Sequence, residues 1–214
     1  MIFKDIDIQR KIPYQINSSF SVNDVNAIRH YQDKSKSNIQ CIWDYVPLPK
    51  EKRNKKLGMD CFMMNGYLRG TLLQKLSEHD EKQVLELINN LDKLVDNSSV
   101  PYKSLLLYRG IEHPTSWLNK NINDDIEEYA FSSFTSSKYI AESYANKNKI
   151  SNDRVYVVTE LCRGDKALYL DNLECEWLLP RNSIFQIDDI LKNNYNDSNG
   201  KMMREIIYYI KKVN

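Results

Sequence analysis

The stretch Leu173-Glu174-Cys175-Glu176-Trp177-Leu178-Leu179-Pro180 decides how the rest of the chain is read. Apolar Cys175, Trp177 and Leu179 alternate with Glu174 and Glu176, the period of two that marks a strand with one face on a core. On such a strand the two carboxylates share the other face, about 6–7 Å apart from strand rise. Like charges so placed oppose each other's ionisation unless cations or solvent relieve them. The pair therefore needs an exposed edge or a purpose.

Working outward, the sequence after Pro101 keeps this texture. Residues 105–109, 155–161, 176–179, 183–187 and 205–210 read as strands, as does Leu168-Tyr169-Leu170, each a short apolar run between polar breaks. One helix interrupts them, capped by Ser137 and carrying Ile140, Ala141, Tyr144 and Ala145. The first half is helical. Ser21 with Asp24 resembles a capping box ahead of Val25, Ile28 and Tyr31. Ile39, Ile42 and Trp43 suggest a short helix ended by Pro47 and Pro49, and Glu51-Lys52-Arg53-Asn54-Lys55-Lys56 is a charged connector. Asp80 and Gln83 open the clearest helix, with Val84, Leu87, Ile88, Leu91, Leu94 and Val95 at helical spacing and Asn97-Ser98-Ser99 at its end. Helices first and strands second make the class α+β.

Composition narrows the function. The 214 residues carry 30 Lys+Arg against 29 Asp+Glu, a formal net charge of +1, with 42% hydrophobic residues. This is the profile of one soluble domain, since single cores stop growing only beyond roughly 250–300 residues. We expect one domain over 1–214, with a helical part over about 1–100 and a strand-rich core over about 101–214. A near-zero charge balance argues against a nucleic-acid partner. Membrane association is not expected either, because no run of about 18 apolar residues occurs. Met1-Ile2-Phe3-Lys4-Asp5-Ile6-Asp7 is too charged for a signal peptide, so the expected site of action is a cytoplasm. The six glycines (58, 66, 70, 110, 164, 200) spell neither a dinucleotide fingerprint nor a P-loop nor a nucleophile elbow. Three scattered His and four Cys (41, 61, 162, 175) without a Cys-x-x-Cys predict no metal site and reduced, buried thiols.

Two further places can carry chemistry. In Leu105-Leu106-Leu107-Tyr108-Arg109-Gly110 an apolar strand ends in an Arg, a planar permanent cation suited to phosphate, followed by a Gly that lets a ligand approach bare backbone. An Arg snorkelling from a sheet edge beside a turn glycine is the plainer account of that motif taken alone. In Phe131-Ser132-Ser133-Phe134-Thr135-Ser136-Ser137, Ser133 and Thr135 share a strand face with Phe131, a polar pair beside an aromatic that suits a ribose and a flat heterocycle.

In this order the three motifs resemble the mono-ADP-ribosyltransferases of the Arg-Ser-Glu class, the arginine-specific Glu-x-Glu type found among bacterial toxins and phage enzymes. Met64-Asn65-Gly66-Tyr67-Leu68-Arg69 looks like the family's Asn-x-x-Leu-Arg segment, and Ala141-Glu142-Ser143-Tyr144-Ala145 like the helix behind its Ser motif. The likeness covers roughly residues 20 to 210. Phe134 stands where the family has a middle Thr, and Asp171-Asn172-Leu173 is shorter than many toxins' target-recognition loop.

The resemblance implies a helical N-terminal segment packed on a two-sheet β core. It also implies cleavage of NAD, as co-substrate, at the nicotinamide bond, with ADP-ribose passing to an arginine of a host or cellular protein. Glu176 would hold the ribose and stabilise its developing positive charge, Ser133 would position Glu176, and Glu174 would take the acceptor guanidinium. Arg109 would grip the pyrophosphate and the Gly110 backbone the nicotinamide amide, with Tyr108, Phe134, Thr135 and Tyr144 completing the NAD site. A monomer without metal is expected, acting in a cytoplasm that can be a host cell's after delivery. An NAD glycohydrolase and a catalytically silent binding module of the same fold are the alternatives.

Overall fold

The computed structural model describes residues 20–32, 61–72, 75–148, 151–171 and 174–213. The helix expected around Ile39, Ile42 and Trp43, the connector 51–56, and Asn172 and Leu173 lie outside the described residues.

Among the described residues, three helices come first. Helix α1 (Val22–Gln32) starts as its sequence predicts: the Ser21 N–H donates to Asp24 Oδ2 at 2.8 Å while the Asp24 N–H donates to Ser21 Oγ at 3.2 Å, a reciprocal capping box. Helix α2 (Cys61–Leu68) carries the Asn65 segment. Helix α3 (Glu78–Asp96) begins ahead of the expected Asp80, because Ser77 is the cap and accepts from the Asp80 N–H at 3.1 Å. Its six expected apolar positions are all buried. They form one core with Tyr31, Met63 and Met64 from the other helices and with Phe131, Leu168 and Leu178 from the strand-rich half.

The strands are β1 (Ser104–Ile111), β2 (Asp125–Glu128), β3 (Ser132–Thr135), β4 (Asp153–Cys162), β5 (Leu168–Asp171), β6 (Glu176–Leu179), β7 (Ser183–Asn196) and β8 (Met202–Lys212), with helix α4 (Lys138–Ala145) after β3. The ladder runs β2-β7-β8-β4-β1-β3-β6-β5, antiparallel except for β4 with β8. The α+β class holds, and the described strands make one ladder where two sheets were expected. Its join is narrow: β1 meets β3 only at Tyr108 opposite Thr135. The two lobes nonetheless face each other across a second core, in which Phe134, Trp177 and Leu179 pack with Leu105, Leu107, Val157, Phe185 and Tyr208. Strand β7 extends well beyond the expected 183–187. From Leu191 to its end it is exposed on both faces and carries no apolar alternation; pairing with β8 makes it a strand.

Gly110 lies directly beneath α4. A Cβ there would lie 1.9 Å from the Ala141 carbonyl oxygen and 2.7 Å from the Ala145 nitrogen. The missing side chain is taken up by α4 lying directly on β1, so the Cα side of Gly110 is filled by the helix. Of the cysteines, Cys61 and Cys175 are buried as expected, Cys162 is exposed where β4 runs out into a turn, and Cys41 lies outside the described residues.

Candidate active site

Glu176 opens β6 and is only 7% exposed. A buried carboxylate needs donors, and Ser133 Oγ donates to its Oε1 at 2.5 Å from the neighbouring strand β3. Leu178, two residues on, belongs to the helical core, so Glu176 lies on the sheet face that α1 to α3 cover. Ser133 sits on that face with Phe131, whose ring meets Tyr31 edge-on at 6.1 Å.

Glu174 is placed differently from the sequence reading. Cys175 has φ +50° and the strand starts only at Glu176, so Glu174 belongs to the preceding turn. Left-handed backbone at a non-glycine residue breaks the alternation that would have put both carboxylates on one strand face. The turn is held from β3 and α4. Thr135 Oγ1 donates to the Glu174 carbonyl at 2.6 Å and accepts from the Ser137 N–H at 3.0 Å, and the Ser136 N–H donates to the Cys175 carbonyl at 3.1 Å. Thr135 thus binds the turn itself. Tyr144, expected against NAD, directs its hydroxyl to Glu174 Oε1 at 3.1 Å, and the Lys147 ammonium lies 3.8 Å from its ring centre.

Arg109, 23% exposed near the end of β1, donates to Glu128 Oε1 at 3.1 Å. The other Glu128 oxygen accepts from Arg69 at 3.2 Å. One carboxylate therefore bridges two guanidiniums, one from the strand and one from the turn after α2. Arg109 also lies 5.9 Å from the Phe134 ring centre. Phe134 is itself buried in the inter-lobe core, and Tyr108 packs beside Ala141, Ala145 and Tyr156 under α4. Beyond Tyr108, residues 109–111 ladder with β4 alone.

Arg69 and three further contributors were not singled out from the sequence. Glu128 lies 19 residues from Arg109 in a strand with no apolar alternation, and only the need for a counter-charge to Arg109 hinted at it. Tyr31 read as a core residue of a helix face, yet its hydroxyl lies 3.4 Å from Ser133 Oγ. Asn65 stood inside a quoted motif without a role, and its Nδ2 donates to the Tyr31 hydroxyl at 3.1 Å.

The model of the ADP-ribosyltransferase exoenzyme family matches residues 9–208. The chain belongs to this family. Its fold is that of the family's toxins. The enzymatic component C2-I of the Clostridium botulinum C2 toxin superposes with a TM-score of 0.63 at 16% identity, covering 93% of this chain and 45% of that one. The ADP-ribosylating toxin BECa of a C. perfringens binary enterotoxin, solved with NADH, gives 0.62 at 15% identity, over 93% and 45%. The Clostridium limosum C3 exoenzyme gives 0.61 at 17% identity and matches nearly end to end, 99% against 96%. The chain thus spans under half the length of C2-I. No curated protein sequence matches it.

Proposed function

We propose that this chain transfers ADP-ribose from NAD to an arginine side chain of a target protein, releasing nicotinamide. The observation that carries the reading is the buried Glu176 carboxylate held by Ser133 at 2.5 Å, in a chain of the exoenzyme family.

When bound, NAD supplies a glycosidic bond whose electron pair leaves with nicotinamide. Glu176 then faces a positive charge growing on the ribose, and a fixed carboxylate stabilises such charge more than mobile water does. Ser133 keeps Glu176 from rotating away. Arg109 takes the pyrophosphate, for which its surroundings fit: the guanidinium is half-buried and already accommodates an oxyanion, that of Glu128. The backbone of residues 109–111, laddered on one side only, takes the nicotinamide amide. Glu174 accepts the incoming guanidinium in a bidentate grip and draws off its proton as the new C–N bond forms. The proposed setting is a cytoplasm, with the protein acting as a monomer on an arginine-bearing partner.

Incubation with NAD and agmatine tests this. We expect free nicotinamide together with ADP-ribosyl-agmatine by mass spectrometry. Nicotinamide without adduct makes the protein a glycohydrolase, and NAD binding without turnover makes it a binding module. An adduct on a cysteine or asparagine peptide instead of agmatine overturns the arginine assignment and leaves a transferase.

A further inference from the structure

We propose that Tyr31 and Asn65 are positioning residues for Glu176, acting through the Ser133 hydroxyl as a one-way chain of hydrogen bonds that runs from the helical layer to the carboxylate. The inference rests on the role given to Glu176 above.

The direction of the chain follows from counting protons. Ser133 Oγ donates to Glu176 Oε1 at 2.5 Å, which commits its single proton to the carboxylate. Across the 3.4 Å contact between Ser133 Oγ and the Tyr31 hydroxyl, Tyr31 must therefore be the donor. The phenol oxygen in turn accepts from Asn65 Nδ2, an amide nitrogen that can only donate, at 3.1 Å. Each hydroxyl accepts one bond and gives one, and every donor points toward Glu176. Aligned bonds of this kind polarise one another.

The surroundings favour a task over plain packing. Tyr31 is 2% exposed and Asn65 9%, amid Met63, Met64, Leu91 and Phe131. Phenylalanine and leucine would fill that space without the cost of burying a hydroxyl and an amide. The Asn65 Oδ1 makes no hydrogen bond among the described residues, so the amide is retained for its donor end. Burial also raises the Tyr31 pKa, with Cys61 and Glu176 adding to the effect, which keeps the phenol protonated and able to donate.

A double-mutant cycle decides the matter. Tyr31→Phe, Ser133→Ala and the double variant are compared for nicotinamide release. Tyr31→Phe should lower kcat by about 3- to 10-fold, the worth of one net hydrogen bond, with KM for NAD unchanged. In the Ser133→Ala background the same substitution should cost nothing more, because the path to Glu176 is already cut. Equal losses in both backgrounds, or a rise in KM without a fall in kcat, overturn the proposal. The same cycle read by urea unfolding needs no turnover: coupling between Tyr31 and Ser133 is expected, and strict additivity overturns the relay. A wild-type protein that releases no nicotinamide sinks the transferase reading instead, while the unfolding cycle still reports on the chain.

Discussion

Ser133 on β3 and Glu176 on β6 meet diagonally: Ser133 is laddered opposite Leu178, yet its hydroxyl reaches the carboxylate two residues earlier at 2.5 Å. Side chains on neighbouring strands are close enough for such diagonal contacts, and the sheet fixes both ends. Ser133→Ala should therefore lower turnover by about 10- to 100-fold, the worth of a hydrogen bond to a charged group. Glu176→Gln, nearly isosteric, should cost about 10²–10³ in both hydrolysis and transfer. Near-normal nicotinamide release by a folded Glu176→Gln protein would remove Glu176 from the mechanism.

Arg109→Lys keeps the charge but loses the planar fork that reaches Glu128 and, in the proposed complex, the pyrophosphate. NAD affinity measured by calorimetry should fall. Unchanged affinity would return Arg109 to a structural ion pair.

Glu174→Gln should separate the two activities. Labelling of agmatine should be lost while much of the NAD hydrolysis persists, since water needs no bidentate carboxylate. Equal loss of both activities in Glu174→Gln and Glu176→Gln would mean that the carboxylates act as one unit.

Gly110→Ala tests the seat of α4. A methyl 1.9 Å from a backbone oxygen must push the helix away, and overpacking of this kind costs about 1–3 kcal/mol. Thermal denaturation should show a melting point lower by about 2–4 °C per kcal/mol for a chain of this size. An unchanged melting point would contradict the close contact.

Alkaline stability reports on Tyr31. Its pKa in the folded protein is raised above the ordinary 10.0, chiefly by burial. The unfolded chain therefore loses the phenol proton first, so the stabilisation is full below about pH 10 and is lost as pH climbs toward the folded value. Between pH 8 and pH 11 the wild type should lose more stability than Tyr31→Phe. Parallel losses would show that the phenol is not shielded.

What could be read from the sequence is what neighbours along the chain determine. The Ser21–Asp24 cap, the Ser137 cap and the buried stripe of α3 depend on residues three or four apart, and the structure has them as expected. The pairing of Glu128 with Arg109, the use of Gly110 by α4, and the strand state of the outer half of β7 depend on partners 19 or more residues away or on another strand. The displacement of Glu174 from the strand hinges on one φ angle at Cys175, a residue type that alternation counts as ordinary strand.

That angle also has a bearing on inheritance. Glu176 is anchored in the sheet, whereas Glu174 sits in a turn fastened by Thr135 and Tyr144. Under the proposed roles, the segment ahead of Cys175 can be lengthened, shortened or exchanged without disturbing the carboxylate that serves NAD. Lineages sharing this scaffold can therefore diversify in what they modify while the cleavage chemistry stays fixed, with Cys175 as the seam between the two.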